Sequence, residues 1–215
     1  MQKDNLSLFD AWGKNPFEKL AIAEIMAACG KKSKPWVFNQ LNAFVKEGLV
    51  VKERRASLDV YGLNWENPFL TKMLAYVQAK KNMKFPKMGM ISELVESIPV
   101  KNYVLLVFGS YADGTHKKDS DIDVCFLVDA EKTENLIAPI VKNVKLTHAE
   151  EIHEHYVTFS EFAQMLLRKE ENLGKQIFKK SVLFHNTDIY YGLLKDAYRR
   201  GWGRQGTALF GKGQE

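Results

Sequence analysis

The stretch "VFGSYADGTHKKDSDIDVCFLV", residues 107–128, constrains this chain more than any other. Two apolar runs, ending in "YVLLVF" and beginning in "DIDVCFLV", have the length and composition of buried strands. Between them lie a Gly-Ser pair and a polar, charged segment. Asp119, Asp121 and Asp123 crowd into five positions, and the last two open the second strand. Residues two apart on a strand point to the same face, so Asp121 and Asp123 share one. Like charges this close repel, and an acid at the head of an apolar strand loses hydration. A divalent cation between the two carboxylates offsets both costs, and Mg²⁺ favours carboxylate oxygens while keeping phosphates as further ligands. Gly109 permits a close backbone turn, and Ser110 opens a short helix with its N–H and hydroxyl toward an anion. The predicted order is strand, tight turn, short helix, loop, strand. An acidic surface turn between two core strands is the alternative reading.

At these residues the pattern becomes specific. "GSYADGTHKKDSDID" resembles the Gly-Ser, spacer, Asp-x-Asp signature of the DNA polymerase beta-like nucleotidyltransferase superfamily, in particular its minimal nucleotidyltransferases. The resemblance spans residues 90–200 and includes "ENLGKQIFKKSVLFHNTDIYYGLL", similar to the helix, strand and helix that close such domains. It implies an α/β (α+β) fold with a mixed sheet. It also implies metal-dependent transfer of a nucleotidyl group from an NTP, ATP first among them, to an acceptor. Gly109 and Ser110 would hold the triphosphate, and Asp121 and Asp123 would bind Mg²⁺ or Mn²⁺. Lys175 would reach a phosphate, with a surface role as its alternative. Two departures stand out. A position that is often basic in these proteins is Asp113 here. The third acid, expected on "EEIHEHYVTFSEF", aligns with His153; a one-residue slip brings in Glu154, which we take as the expected third catalytic acid. Asp119 reads as a solvated loop acid, and His153 and His155 as polar strand residues.

The net charge of +5 conceals an asymmetry: residues 1–87 carry 15 Lys/Arg and 8 Asp/Glu, and the remainder 16 and 18. A basic first part suggests a separate module with its own partner. "PFEKLAIAEIMAACG" has mainly helical apolar spacing with Gly30 as stop, and Ser33 and Pro35 open a second helix that ends at Gly48. Val37, Leu41, Phe44 and Val45 form its apolar face. Two strand-like runs, 49–54 and 57–63, follow. This order resembles a winged helix-turn-helix. It implies DNA binding through Asn39 and Gln40, whose amides match adenine edges, with Trp36 beside them. Lys34, Lys52, Arg54 and Arg55 would meet phosphates. A protein-docking or dimerisation module is the alternative. Residues 67–89 read as a connecting helix and linker, and the helix suggests a homodimer.

The expected organisation is therefore a winged helix-turn-helix domain at 1–66, a connector at 67–89, a nucleotidyltransferase domain at 90–200 and a flexible tail at 201–215. No apolar run approaches the ~20 residues of a membrane span, and the N-terminus lacks a signal-peptide layout, so a cytoplasmic protein is expected. Cys29 and Cys125 read as small buried hydrophobes. The implied function is a nucleotidyltransferase with an attached DNA-binding module, similar to antitoxins that modify a partner toxin. The alternative is a DNA-binding regulator whose second domain senses nucleotide or is catalytically impaired.

Overall fold

The computed structural model describes residues 5–148 and 151–202. The chain divides into two compact units between Val77 and Gln78. Among the described residues no helix is long and apolar enough to cross a membrane.

The first unit opens with a 3-10 helix, Asn5–Trp12, followed by β1 (Leu20–Ala21), α1 (Ile22–Ala28), α2 (Lys34–Lys46), β2 (Val50–Arg55) and β3 (Leu58–Leu63). The three strands form an antiparallel sheet in the order β1-β3-β2. The first helix is shorter than its apolar pattern predicts, because Leu20 pairs with Tyr61 in the sheet rather than continuing the helix. Gly30 and Gly48 end α1 and α2 in the left-handed region, where a missing Cβ removes the steric cost. Val37, Leu41 and Phe44 of α2 are buried, as are Leu8, Phe9 and Trp12, and the Phe9 ring lies 5.0 Å from that of Phe44. In the connecting helix α3 (Leu70–Asn82), Leu70 and Leu74 are buried and Tyr76 is exposed, as is Phe69 just before the helix.

The second unit contains α4 (Met88–Ser97), β4 (Tyr103–Phe108), α5 (Gly109–Asp113), β5 (Ile122–Val128), α6 (Glu134–His148), β6 (Ile152–Thr158), α7 (Phe159–Leu167), α8 (Leu173–Lys179), β7 (Ser181–His185) and α9 (Thr187–Arg199). Its sheet has the order β6-β5-β4-β7. β6 runs parallel to β5, and the other pairs are antiparallel, so the sheet is mixed as expected. Every residue of β4 is buried. Tyr103, Leu105 and Val107 of β4 join Val124, Phe126 and Val128 of β5 in one cluster with α4 and α6. Strand alternation turns Val104, Leu106, Cys125 and Leu127 to the other face, which α7 and α9 contact. The sequence "TFSE" explains where α7 begins: Thr158 Oγ1 accepts from the Glu161 N–H at 3.2 Å, and Glu161 accepts from the Thr158 N–H at 2.8 Å. Cys125 is buried and Cys29 half-buried; neither forms a disulfide.

Phe126 lies at the centre of this core, fully buried between Tyr103 and the stacked ring of Tyr156. Phe126→Ala is expected to lower unfolding free energy by about 3–5 kcal/mol in urea titration.

Candidate functional site

β4 is buried along its whole length and ends at Phe108, which pairs with Asp123 of β5. There the chain turns at once into α5. Gly109 makes this turn with φ +68°. A Cβ built on Gly109 would lie 2.3 Å from Asp123 Oδ2. The Asp123 carboxylate thus rests over glycine backbone in space that any side chain would fill. Ser110, the next residue, is half-buried, and its carbonyl accepts the N–H groups of Thr115 and His116 at 3.0 and 3.1 Å. These bonds close the loop that leads back toward β5.

Asp121 and Asp123 stand at the head of β5, both partly exposed, on the face shared with Cys125 and Leu127. This is the side covered by α7 and α9. Asp119 is exposed in the preceding loop. The structure thus brings Gly109, Ser110, Asp121 and Asp123 to one end of the sheet.

Glu154 is not brought there. The parallel register pairs Asp123 with His153 and Val124 with Glu154. His153 therefore shares the face of the two aspartates, and Glu154 takes the opposite one, where it pairs with Lys145 of α6. Expecting Glu154 as the third acid needed a one-residue slip that the register does not contain. His153 stands in its place, with Nε2 3.6 Å from Asp121 Oδ2 and Nδ1 3.9 Å from Asp123 Oδ1. His155, on the same face, meets the Phe108 ring edge-on at 5.3 Å.

Lys175 is also placed elsewhere than expected. Its Nζ donates to the Lys169 carbonyl at 2.7 Å, and the side chain lines a separate cavity with Arg168, Arg200 and Trp202. Asp113, the acid at an often basic position, is compensated. Hydrogen bonds from Thr115, and then Lys180 at 3.1 Å, hold its carboxyl below the ordinary range. Sequence reading misses Lys180, because nothing local links it to a residue 67 positions away.

The donor set can be tested against a divalent cation. Two carboxylates on one face, with glycine backbone close against one of them, suit a hard cation that prefers oxygen. They fit Mg²⁺ or Mn²⁺ at Asp121 and Asp123. Among the described residues, however, no group of three His, Cys, Asp or Glu side chains is drawn together to hold a metal.

In the first unit, α2 presents Lys34 and Asn39 exposed and Trp36 and Gln40 half-buried. Lys31 Nζ lies 5.2 Å from the Trp36 ring centroid. The hairpin cations all have acid partners: Lys52 and Arg54 reach Asp59 at 2.7 and 3.0 Å, and Arg55 reaches Glu53 at 3.7 Å. The bond from Lys52 holds the Asp59 carboxyl below its usual range.

The expected tail at 201–215 falls mostly outside the described residues. Its first two residues are described, and the Trp202 N–H donates to the Ala197 carbonyl at 3.0 Å.

Against this geometry stand the comparisons with known proteins. No curated protein matches the chain. Two solved structures are similar to parts of it. A toxin–antitoxin solved with AMP-PNP is 15% identical, with 55% of this chain and 90% of that chain covered and a TM-score of 0.39. Sso10a-2, a DNA-binding protein from Sulfolobus solfataricus, is 17% identical, with coverage of 44% and 97% and a TM-score of 0.32. Residues 89–186 match the family model for the nucleotidyltransferase domain, so the second unit carries the domain of a transferase enzyme.

Proposed function

We propose that residues 90–200 transfer an NMP group from an NTP, ATP among them, to a hydroxyl of an acceptor. The acceptor oxygen bonds to the α-phosphorus, the α–β anhydride bond breaks, and pyrophosphate and a proton leave. The observation that carries this reading is the juxtaposition at the Gly109 turn. One backbone position without a side chain lies directly against one of two same-face carboxylates. Asp121 and Asp123 would hold Mg²⁺ or Mn²⁺, which supplies charge neutralisation for the triphosphate and the leaving pyrophosphate. Gly109 lets the Asp123 carboxylate sit against the turn, and Ser110 would offer its hydroxyl and N–H to the phosphates. Lys180 keeps the Asp113 charge from repelling them.

For residues 1–66 we propose a winged helix-turn-helix that binds DNA, with 67–89 as connector. Its support is the order of helix, short strand, two helices and hairpin, together with the polar face of α2. Asn39 and Gln40 would read base edges, with Trp36 beside them, while Lys34, Lys52, Arg54 and Arg55 would meet phosphates. A homodimer through the connecting helix and a partner toxin as acceptor belong to the same antitoxin-like reading. A second reading, a regulator that senses nucleotide without turnover, is favoured by one observation: His153 stands where a third carboxylate is expected.

Incubation with each α-³²P-labelled NTP, Mg²⁺ or Mn²⁺ and cell extract tests the transferase. Asp121→Ala with Asp123→Ala is expected to lower label transfer at least about 1,000-fold. Equal labelling by wild type and double variant would sink the assignment, and no labelling by either would favour the regulator. Gly109→Ala forces a Cβ into the left-handed region and against Asp123. It is expected to cost about 1–3 kcal/mol in thermal or urea unfolding and to depress transfer with it. Arg54→Ala with Arg55→Ala is expected to weaken duplex DNA binding and to reduce the slope of log affinity against log salt by about 1.8. An unchanged slope in fluorescence anisotropy would remove both arginines from the interface.

A further inference from the structure

A cavity of about 430 Å³ opens beside the end of α7, α8 and the end of α9. Four cations line it: Arg168, Lys169, Lys175 and Arg200. Trp202 and the buried Leu166 complete its apolar part, and the indole packs edge-on to Phe178 at 4.4 Å. No acidic side chain belongs to the lining. The nearby carboxylate of Glu171 pairs with Lys179 at 2.7 Å. Among the described residues no ion pair engages Arg168, Lys169 or Arg200.

Lys175 has the Lys169 carbonyl and the Glu171 charge beside it, but Arg168, Lys169 and Arg200 repel one another across this small space unless an anion enters. Guanidinium forks match phosphate oxygens in paired hydrogen bonds, and an indole offers a face or edge to a base. An acidic peptide would satisfy the cations and leave the ring without a role. The volume lies within the range of small-ligand sites.

Position decides what such a ligand is for. α8 ends at Lys179, two residues before Ser181, and Ser181 is the strand partner of Phe108, which is itself the partner of Asp123. The cavity is built from the helices that cover the Asp121/Asp123 face. The triphosphate already has its place at the Gly109–Ser110 turn, so a second phosphate-binding set at this end serves the other substrate. We infer that the cavity binds a nucleotide unit of a single-stranded nucleic acid, and that a nucleic-acid end, in place of the partner toxin of the antitoxin-like reading, is the acceptor of the transfer. This rests on the transferase reading above. A free mononucleotide shares the same chemistry, and the experiment separates the two.

Fluorescence anisotropy of the full chain with a fluorescein-labelled 12-nucleotide single strand, RNA or DNA, provides the test. The Arg54→Ala/Arg55→Ala background removes the hairpin's contribution. Adding Arg168→Ala and Arg200→Ala is expected to weaken oligonucleotide binding about tenfold or more. The salt slope should fall by about 1.4, or 0.7 for each lost phosphate contact on a single strand. A fluorescent ATP analogue should bind as before, and the melting temperature should hold, since both arginines are exposed. Arg168→Lys with Arg200→Lys should restore part of the affinity. Unchanged oligonucleotide binding overturns the inference. A loss that falls on the ATP analogue, alone or equally, overturns it too and makes the cavity a mononucleotide site. Asp121→Ala/Asp123→Ala should lose transfer yet retain the oligonucleotide, so failure here is distinct from failure of the transferase reading.

Discussion

Everything at the candidate site depends on one close approach, that of the Asp123 carboxylate to the backbone of Gly109. β4 is buried on both faces and cannot expose chemistry along its length. Only its end is available, and the left-handed φ of Gly109 turns the chain there within one residue. Any other residue would pay for the backbone conformation and also drive a Cβ into Asp123. The glycine therefore solves two problems at once. It allows the strand to end beside its neighbour's acids, and it makes room for the Asp123 carboxylate against the turn.

A second constraint is the parallel pairing of β6 with β5. Side chains alternate along a strand, so register alone decides which residues join the aspartates. With Asp123 opposite His153, an imidazole joins the site and a carboxylate is sent to the far face, where Lys145 receives it. An imidazole in the place of a third carboxylate removes a fixed negative charge from the turn. At Asp113, Lys180 offsets an added one. The first departure thus lowers the negative charge at this end of the sheet, and the charge added by the second is offset by Lys180.

These features differ in how far the sequence discloses them. The Gly109–Ser110 turn and the shared face of Asp121 and Asp123 are local: strand alternation and glycine's conformational freedom operate over a few residues. The same locality makes the start of α7 readable from Thr158 and Glu161. What is not local is hidden. Leu20 leaves its helical pattern to pair with Tyr61, α6 carries no mark among the motifs that define the site, and Glu154 and His153 are neighbours in sequence but opposites in the fold. Lys175 and Lys180 lie five residues apart; one lines a cavity and the other meets Asp113. No spacing rule separates them, because their neighbours come from elsewhere in the chain.

Charge counted along the sequence also misleads about which cations are available. The hairpin in the first unit is rich in Lys and Arg, yet Asp59 holds Lys52 and Arg54, and Glu53 stands near Arg55 and pairs with Lys19. A phosphate approaching this hairpin must compete with carboxylates already in place, although exposed pairs of this kind are each worth only about 0–1 kcal/mol. Residues 88–215 carry more acids than cations, yet they place Arg168, Lys169 and Arg200 in one cavity without an acid in its lining. Local field, not net charge, governs where a polyanion settles. By that criterion the second unit presents the less encumbered phosphate-binding surface, and it does so on the face that carries Asp121 and Asp123.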